Sequence, residues 1–208
     1  ATDEAGMTAV LSATTELLLA IPYEPFAGNP ARNEVILRTC AEMPNLFPLR
    51  PETVEERMIA VAHTLTAPDS FAWEVWRGQT LCGIFLLTHC VPQYDALAHF
   101  AFFDRALFGR TKLMQRVIGQ AFARFGLERL SAEIPEHLTA LIDFARRKLG
   151  FKYEGEAAAE AAGLPRSRWA AAWGSRREHA FLADGIWRDG IRLRLLRSEH
   201  EVMTARGE

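Results

Sequence analysis

A chain of 208 residues with 49% hydrophobic and 24% charged side chains has the makeup of a globular domain that buries a real core, which excludes disordered, collagen-like and low-complexity architectures. The formal net charge is −2, so nothing global argues for nucleic acid, although residues 1–100 carry 12 acids against 5 bases and residues 101–208 carry 14 against 19. The longest apolar runs, Leu17–Ile21 and Ile84–Leu87, fall far short of the ~18 residues of a membrane span, so no membrane partner is expected.

Residues Ala1–Gly6 read as disordered, and no basic, cleavable leader follows, which points to a cytoplasmic protein. Leu17–Ile21 suits a first strand or the end of a helix. Asn29-Pro30 is a helix start, with Asn as cap and Pro in the first turn, leading into Val35, Ile36 and Cys40. A second helix is predicted from Pro51, with Glu52, Glu55 and Glu56 at its positive end and Val54, Met58, Val61, Ala62 and Leu65 on its apolar face.

The period then changes. Phe71, Trp73 and Val75 alternate with Ala72 and Glu74, a strand; Arg77-Gly78-Gln79 is a turn; Thr80–Cys90, apolar on both faces, reads as a central strand; Ala96–Phe103 reads as a third. A loop with Gly109 leads into an amphipathic helix carrying Leu113, Met114, Val117, Ile118, Ala121, Phe122 and Phe125. Leu130–Ile134 is a strand, Leu138–Leu149 a helix stopped by Gly150, and Phe151–Glu154 a strand. Residues 157–177 read as an Ala-rich insertion. His179–Asp184 and Ile191–Leu196 are the last predicted strands, set apart by the Asp184-Gly185 and Asp189-Gly190 turn signals. The order implies one α+β domain over residues 1–208, built on a mixed sheet.

Cys40, Cys82 and Cys90 are odd in number and form no CxxC pair, and Cys82 and Cys90 sit at opposite ends of one strand, so reduced thiols are expected. The six histidines, His63, His89, His99, His137, His179 and His200, show no metal-ligand spacing, and no metal site is predicted. Trp169 and Trp173 with Arg166, Arg168, Arg176 and Arg177 suit either tryptophans packed on the domain with solvated arginines, or a surface for nucleic acid or a protein partner.

The segment Phe103–Glu156 carries the strongest signal. Gly109-Arg110-Thr111-Lys112 lies between a strand and a helix, followed by Phe125–Leu130 and by Arg147-Lys148-Leu149-Gly150-Phe151-Lys152-Tyr153-Glu154-Gly155. This pattern resembles the GNAT superfamily of acyl-CoA-dependent N-acyltransferases. Within it, the Lys-Leu-Gly-Phe run is similar to the ribosomal-protein N-terminal acetyltransferase type and to GNAT-like proteins carried by bacteriophages. Asp184–Asp189 through Glu199 fits the same type's C-terminal strands.

The resemblance implies an acetyl-CoA co-substrate and an amine acceptor on a protein or small molecule, with the 157–177 insertion shaping acceptor choice. It implies that Gly109, Arg110, Thr111 and Lys112 bind the pyrophosphate through backbone N–H groups at a helix N-terminus. A backbone N–H near Ala101–Phe103 would polarise the thioester carbonyl. The chain departs from the family pattern at Ala106, Thr111, Thr139 and Arg146, where a Gln or Arg, a small residue, an Asn and a Tyr are usual; Arg105 lies one residue from the first of these positions. His99, on the face of Ala101 and Phe103, is a candidate base, and Tyr153 a candidate acid. Each also suits a packing role, His99 in the sheet and Tyr153 against the core. The departures and the aromatic strand residues Phe100, Phe102 and Phe103 define a second expectation: a GNAT fold without chemistry, serving as a structural or interaction component of a phage virion.

Overall fold

The computed structural model describes residues 18–22, 30–43, 53–103, 111–154, 176–183 and 186–206, and for 18–22, 176–183 and 186–188 the backbone alone. Leu18–Pro22 forms β1, so the first apolar run is a strand and not a helix end. Pro30–Glu42 is α1, opened by its proline as the sequence predicts. The second helix, α2, spans Val54–Thr66 and starts later than Pro51. The physical reason is a capping box: the Thr53 hydroxyl accepts from the Glu56 amide at 3.2 Å while the Glu56 carboxylate accepts from the Thr53 amide at 3.1 Å.

β2 (Phe71–Arg77), β3 (Thr80–Val91) and β4 (Asp95–Phe102) make the predicted antiparallel meander. The turn between β2 and β3 uses Gly78 at φ 56°. α3 (Thr111–Phe125), β5 (Arg129–Pro135) and α4 (Thr139–Leu149) follow. Gly150 caps α4 in the left-handed conformation, its N–H donating to the Ala145 carbonyl. β6 is short, Lys152–Tyr153.

β7 (Arg176–Ala183) begins inside the predicted insertion, whose residues 157–175 lie outside the described residues. β8 (Ile186–Leu196) runs straight through Asp189-Gly190, where the sequence suggests a turn. Gly190 is held there between Pro135 of β5 and Arg177 of β7, so ladder pairing on both sides overrides the local turn preference. A last helix, α5 (Arg197–Ala205), stands where no helix is predicted. Glu199 secures its start by accepting the Leu196 amide at 3.1 Å.

The strands form one sheet in the order β1-β2-β3-β4-β5-β8-β6, with β7 also on β8. β4 and β5 are parallel, joined by the α3 crossover; the other pairs are antiparallel. One face packs Trp73, Phe85, Leu87, Ala98, Leu130, Ala132 and Leu193 against α3 and α4. The other packs Ala72, Ile84, Leu86 and Ala101 against Ile36 and Cys40 of α1 and Val61 and Leu65 of α2. Cys40, Cys82 and Cys90 are buried free thiols. No helix among the described residues is long and apolar enough to cross a membrane.

Candidate active site

β4 and β5 pair over only four positions, from Asp95 opposite Arg129 to Ala98 opposite Ala132. Past these, β4 stays on β3 as far as Phe102 opposite Gly83, while β5 stays on β8 as far as Pro135 opposite Gly190. Each strand follows its outer partner, so the two separate and leave a wedge-shaped notch at their carboxyl ends. That is the end of an open sheet where ligands characteristically bind.

The direction of the main chain along the notch is fixed by three hydrogen bonds. The Phe103 amide donates to the Cys82 carbonyl at 3.0 Å, so odd-numbered residues of β4 turn their backbone groups toward β3. The Tyr94 carbonyl accepts the Glu128 and Arg129 amides at 2.9 and 3.0 Å, so even-numbered residues turn theirs toward β5. The amides that point into the notch are therefore those of Phe100 and Phe102. Of the expected stretch Ala101–Phe103, the Phe102 amide faces the notch, while that of Phe103 is corrected to a donor committed to β3, because one residue of register reverses the direction of the peptide.

Side chains alternate at right angles to this. Phe100 and Phe102 project onto the α3/α4 face, where Phe100 packs 4.9 Å from Phe85 and 6.4 Å from Phe151, and Phe102 6.2 Å from Phe144. Both remain partly exposed, so this side of the notch is aromatic. His99 projects onto the α1/α2 face, one residue beyond the last β4–β5 pair. Glu133, one residue beyond Ala132 on β5, shares that face, so an imidazole and a carboxylate flank the notch on one side.

α3 begins at Thr111, after the strand that borders the notch, and its first turn holds no acidic residue to offset the positive end of the helix. Thr111 is half-buried and Lys112 exposed. Both stand at the predicted helix start, whereas Gly109 and Arg110 lie outside the described residues.

The His99 ring is held by Thr88, with Nε2 2.9 Å from the threonine hydroxyl. Burial of the ring, and then the neighbouring His89, push its pKa down to about 4, so it is neutral at physiological pH. Tyr153 lies on β6 opposite Leu193, its ring under the Arg146 guanidinium at 4.0 Å, and packs on the α3/α4 face. The structure thus separates the two residues: two strands, β5 and β8, lie between His99 and Tyr153, and their side chains project from opposite faces of the sheet. Arg146, at the position where the family has a Tyr, stacks on Tyr153.

Sequence reasoning missed Glu133, Thr88 and His89. Glu133 carried a faint signal, as a charged residue alternating with Leu130, Ala132 and Ile134 at the carboxyl end of a strand. Thr88 and His89 are only recognisable once β3 and β4 are in register.

No family model matches the chain, and no curated protein matches it either. Solved structures do. A mutant of the spermidine N-acetyltransferase SpeG from Vibrio cholerae is similar with a TM-score of 0.64 at 13% identity, over 90% of this chain and 98% of that one. The Vibrio cholerae spermidine N-acetyltransferase in complex with CoA and spermine is similar at 0.62 and 14%, over 89% and 97%. A probable acetyltransferase of the GNAT family from Chromobacterium violaceum is similar at 0.62 and 16%, over 88% and 90%. The chain has the fold of the GNAT acetyltransferases.

Proposed function

We propose that the protein is an N-acetyltransferase that moves the acetyl group of acetyl-CoA to an amine of a protein or small molecule. The observation that carries the proposal is the notch, where β4 leaves β5 after Ala98 and turns the Phe100 amide toward the opening beside the start of α3. The CoA and spermine complex of a protein with this fold supports the same co-substrate and an amine acceptor. The Lys148–Phe151 run supports the branch that resembles ribosomal-protein N-terminal and phage-borne acetyltransferases.

The α3 N-terminus offers amides and the Lys112 charge to a pyrophosphate, with Gly109 and Arg110 immediately before it. Acetyl-CoA supplies an activated thioester. The acceptor amine enters from the α1/α2 face, where Glu133 attracts its ammonium form and takes a proton from it. The neutral amine then attacks the thioester carbonyl. The Phe100 N–H donates to the oxygen as negative charge builds on it; the C–S bond then breaks, the nitrogen gives its second proton to His99, and the departing thiolate takes a proton from water. Tyr153, on the far edge of the α3/α4 face, takes no part. The segment 157–177, joining β6 to β7, shapes acceptor choice.

Titration calorimetry with acetyl-CoA is the first test, and binding with a Kd below about 100 µM is expected. An absence of heat overturns the proposal and leaves a GNAT-fold protein without the chemistry, the structural or virion role. If binding is seen, a mass-spectrometric screen of amines with labelled acetyl-CoA identifies the acceptor.

A further inference from the structure

Resting on the transferase reading above, we infer that Thr88 and His89 form a proton exit that connects His99, at the notch, to solvent.

The inference starts from a distortion. β3 pairs regularly with β4 up to Thr88 opposite Leu97, and then slips before Val91. Inside the slip, His89 adopts φ 51°, the left-handed region that a non-glycine residue enters only under strain. The Cys90 amide, donating to the Asp69 carbonyl at 3.0 Å, holds the far side of the bulge. In a regular strand, residue 89 would face away from Thr88. Here its ring lies beside the Thr88 hydroxyl, with Nδ1 3.2 Å from Oγ1.

Thr88 is only 6% exposed, and its single hydroxyl meets two imidazole nitrogens, His99 Nε2 at 2.9 Å and His89 Nδ1 at 3.2 Å. A hydroxyl has one proton to give and lone pairs to receive, so between two rings it donates to one and accepts from the other. His89 is exposed and His99 is half-buried, so the chain runs from the interior to water. Anchoring a buried threonine would take one of these bonds and no backbone strain.

The proton balance is simple. A proton arriving from the amine at His99 Nδ1 is matched by one leaving Nε2–H to the Thr88 oxygen. The Thr88 hydroxyl proton passes to His89 Nδ1, and the His89 Nε2 proton goes to water. No oxidant, metal or second substrate is needed. The low proton affinity of His99 suits a relay, which must release what it receives. Among the described residues, the ionisable groups in this region include Asp69 and Asp95, whose carboxylates raise the nearby Cys90 thiol after burial has done so, Arg129, which pairs with Asp95, and Glu133 across the notch.

The test compares Thr88→Val, which keeps the shape and removes the hydroxyl, with Thr88→Ser and His89→Ala. The relay requires Thr88→Val to lower kcat about tenfold or more at unchanged KM for acetyl-CoA. It requires Thr88→Ser to restore kcat, and added imidazole to rescue His89→Ala. A Thr88→Val enzyme with the wild-type kcat and pH profile overturns it. Nitrogen-15 NMR of the unmodified protein decides the path without any turnover: His99 must carry its proton on Nε2 and His89 on Nε2. A His89 protonated on Nδ1 at neutral pH reverses the chain and sinks the inference. A protein that shows the required tautomers yet acetylates no amine instead overturns the transferase reading, and the relay with it.

Discussion

β3 and β8 belong to one sheet and carry opposite burial patterns. β3 is buried without a break from Cys82 to Thr88, because α1 and α2 cover one face of it and α3 and α4 the other. In β8, Ile191, Leu193 and Leu195 are buried on the α3/α4 face, while Arg192 and Arg194 alternate with them on the opposite face. Ser131 and Glu133 of β5 and Lys152 of β6 share that second face. The first half of the sheet is a three-layer sandwich, and the second presents a charged surface. The notch lies on the seam between the halves, where the strands part. The proposed reaction, which joins a thioester to a charged amine, would use both surroundings, and the seam brings them together.

The halves also treat charge differently, which makes the comparison breakable. In the sandwiched half, substituting Phe85, fully buried against Trp73 and Phe100, with Ala should cost about 3–5 kcal/mol in chemical denaturation. Among the described residues, the one buried carboxylate of that half, Glu74, accepts from Arg32 Nε at 2.8 Å and Trp76 Nε1 at 2.6 Å, and it pairs with Arg32 Nη2 as well. Arg32→Ala leaves this carboxylate short of its cation, and a loss of about 3 kcal/mol is expected. A cost below 1 kcal/mol would show that water replaces the guanidinium and that the half is less dry than it looks.

The pH dependence of stability probes both halves through buried neutral histidines. His99 is lowered to about 4, by burial first; His200, packed on Phe122 and Gly119 of α3, is lowered too, again chiefly by burial. The unfolded chain takes up these protons below about pH 6.5 and the folded chain does not, so stability is full above that pH. For His99 it should fall as the pH drops from there toward about 4, by about 1.4 kcal/mol per unit, and His200 adds to the fall in the same direction. Denaturant midpoints at pH 7.5, 6 and 5 check this; equal midpoints would mean that the rings are open to water.

Gly150→Ala tests the charged half from beneath. The residue sits at φ 78°, and an added Cβ would stand 2.9 Å from the Met203 sulfur of α5, so a cost of about 1–2 kcal/mol in thermal unfolding is expected. The smallest effect belongs to the charged face itself. Lys152→Ala removes an ion pair of 2.9 Å to Glu199 at a half-exposed site, and should cost under about 1 kcal/mol. Burial alone would raise Glu199, but hydrogen bonds from Lys152, the Leu196 amide and Arg194 outweigh it and hold the carboxyl below its ordinary range. Even without Lys152, the Arg194 contact at 2.7 Å remains. A larger loss would mean that this face is drier than its exposure implies, and would bring the two halves closer together.

Much of this was legible in the chain. The meander Phe71–Phe102 follows from runs of β-branched, aromatic and aliphatic residues broken at Gly78 and again at Pro92–Tyr94, and α3 from its 3–4 spacing. Boundaries were less so: Thr53 and Glu56 cap α2 against the pull of Pro51, and β8 ignores Asp189-Gly190 because two neighbours pair with it. α5 was hidden, since Arg197–Ala205 offers little apolar periodicity beyond His200, and its contact is made with Gly119 far earlier in the chain. At the site, His99 and the α3 start at Thr111 were visible as residue types in a pattern. Which amides of β4 turn into the notch, those of Phe100 and Phe102 and not Phe103, and Glu133 beside His99, were not.

The sequence by itself determined the elements and their order, because hydrophobic period, turn residues and caps act over a few neighbours and are written locally. Tertiary structure alone decided which amides face the notch, which side chains flank it, and that Tyr153 stands away from it. Those properties depend on register between strands distant in the chain, and a shift of one residue in that register turns every peptide and every side chain the other way.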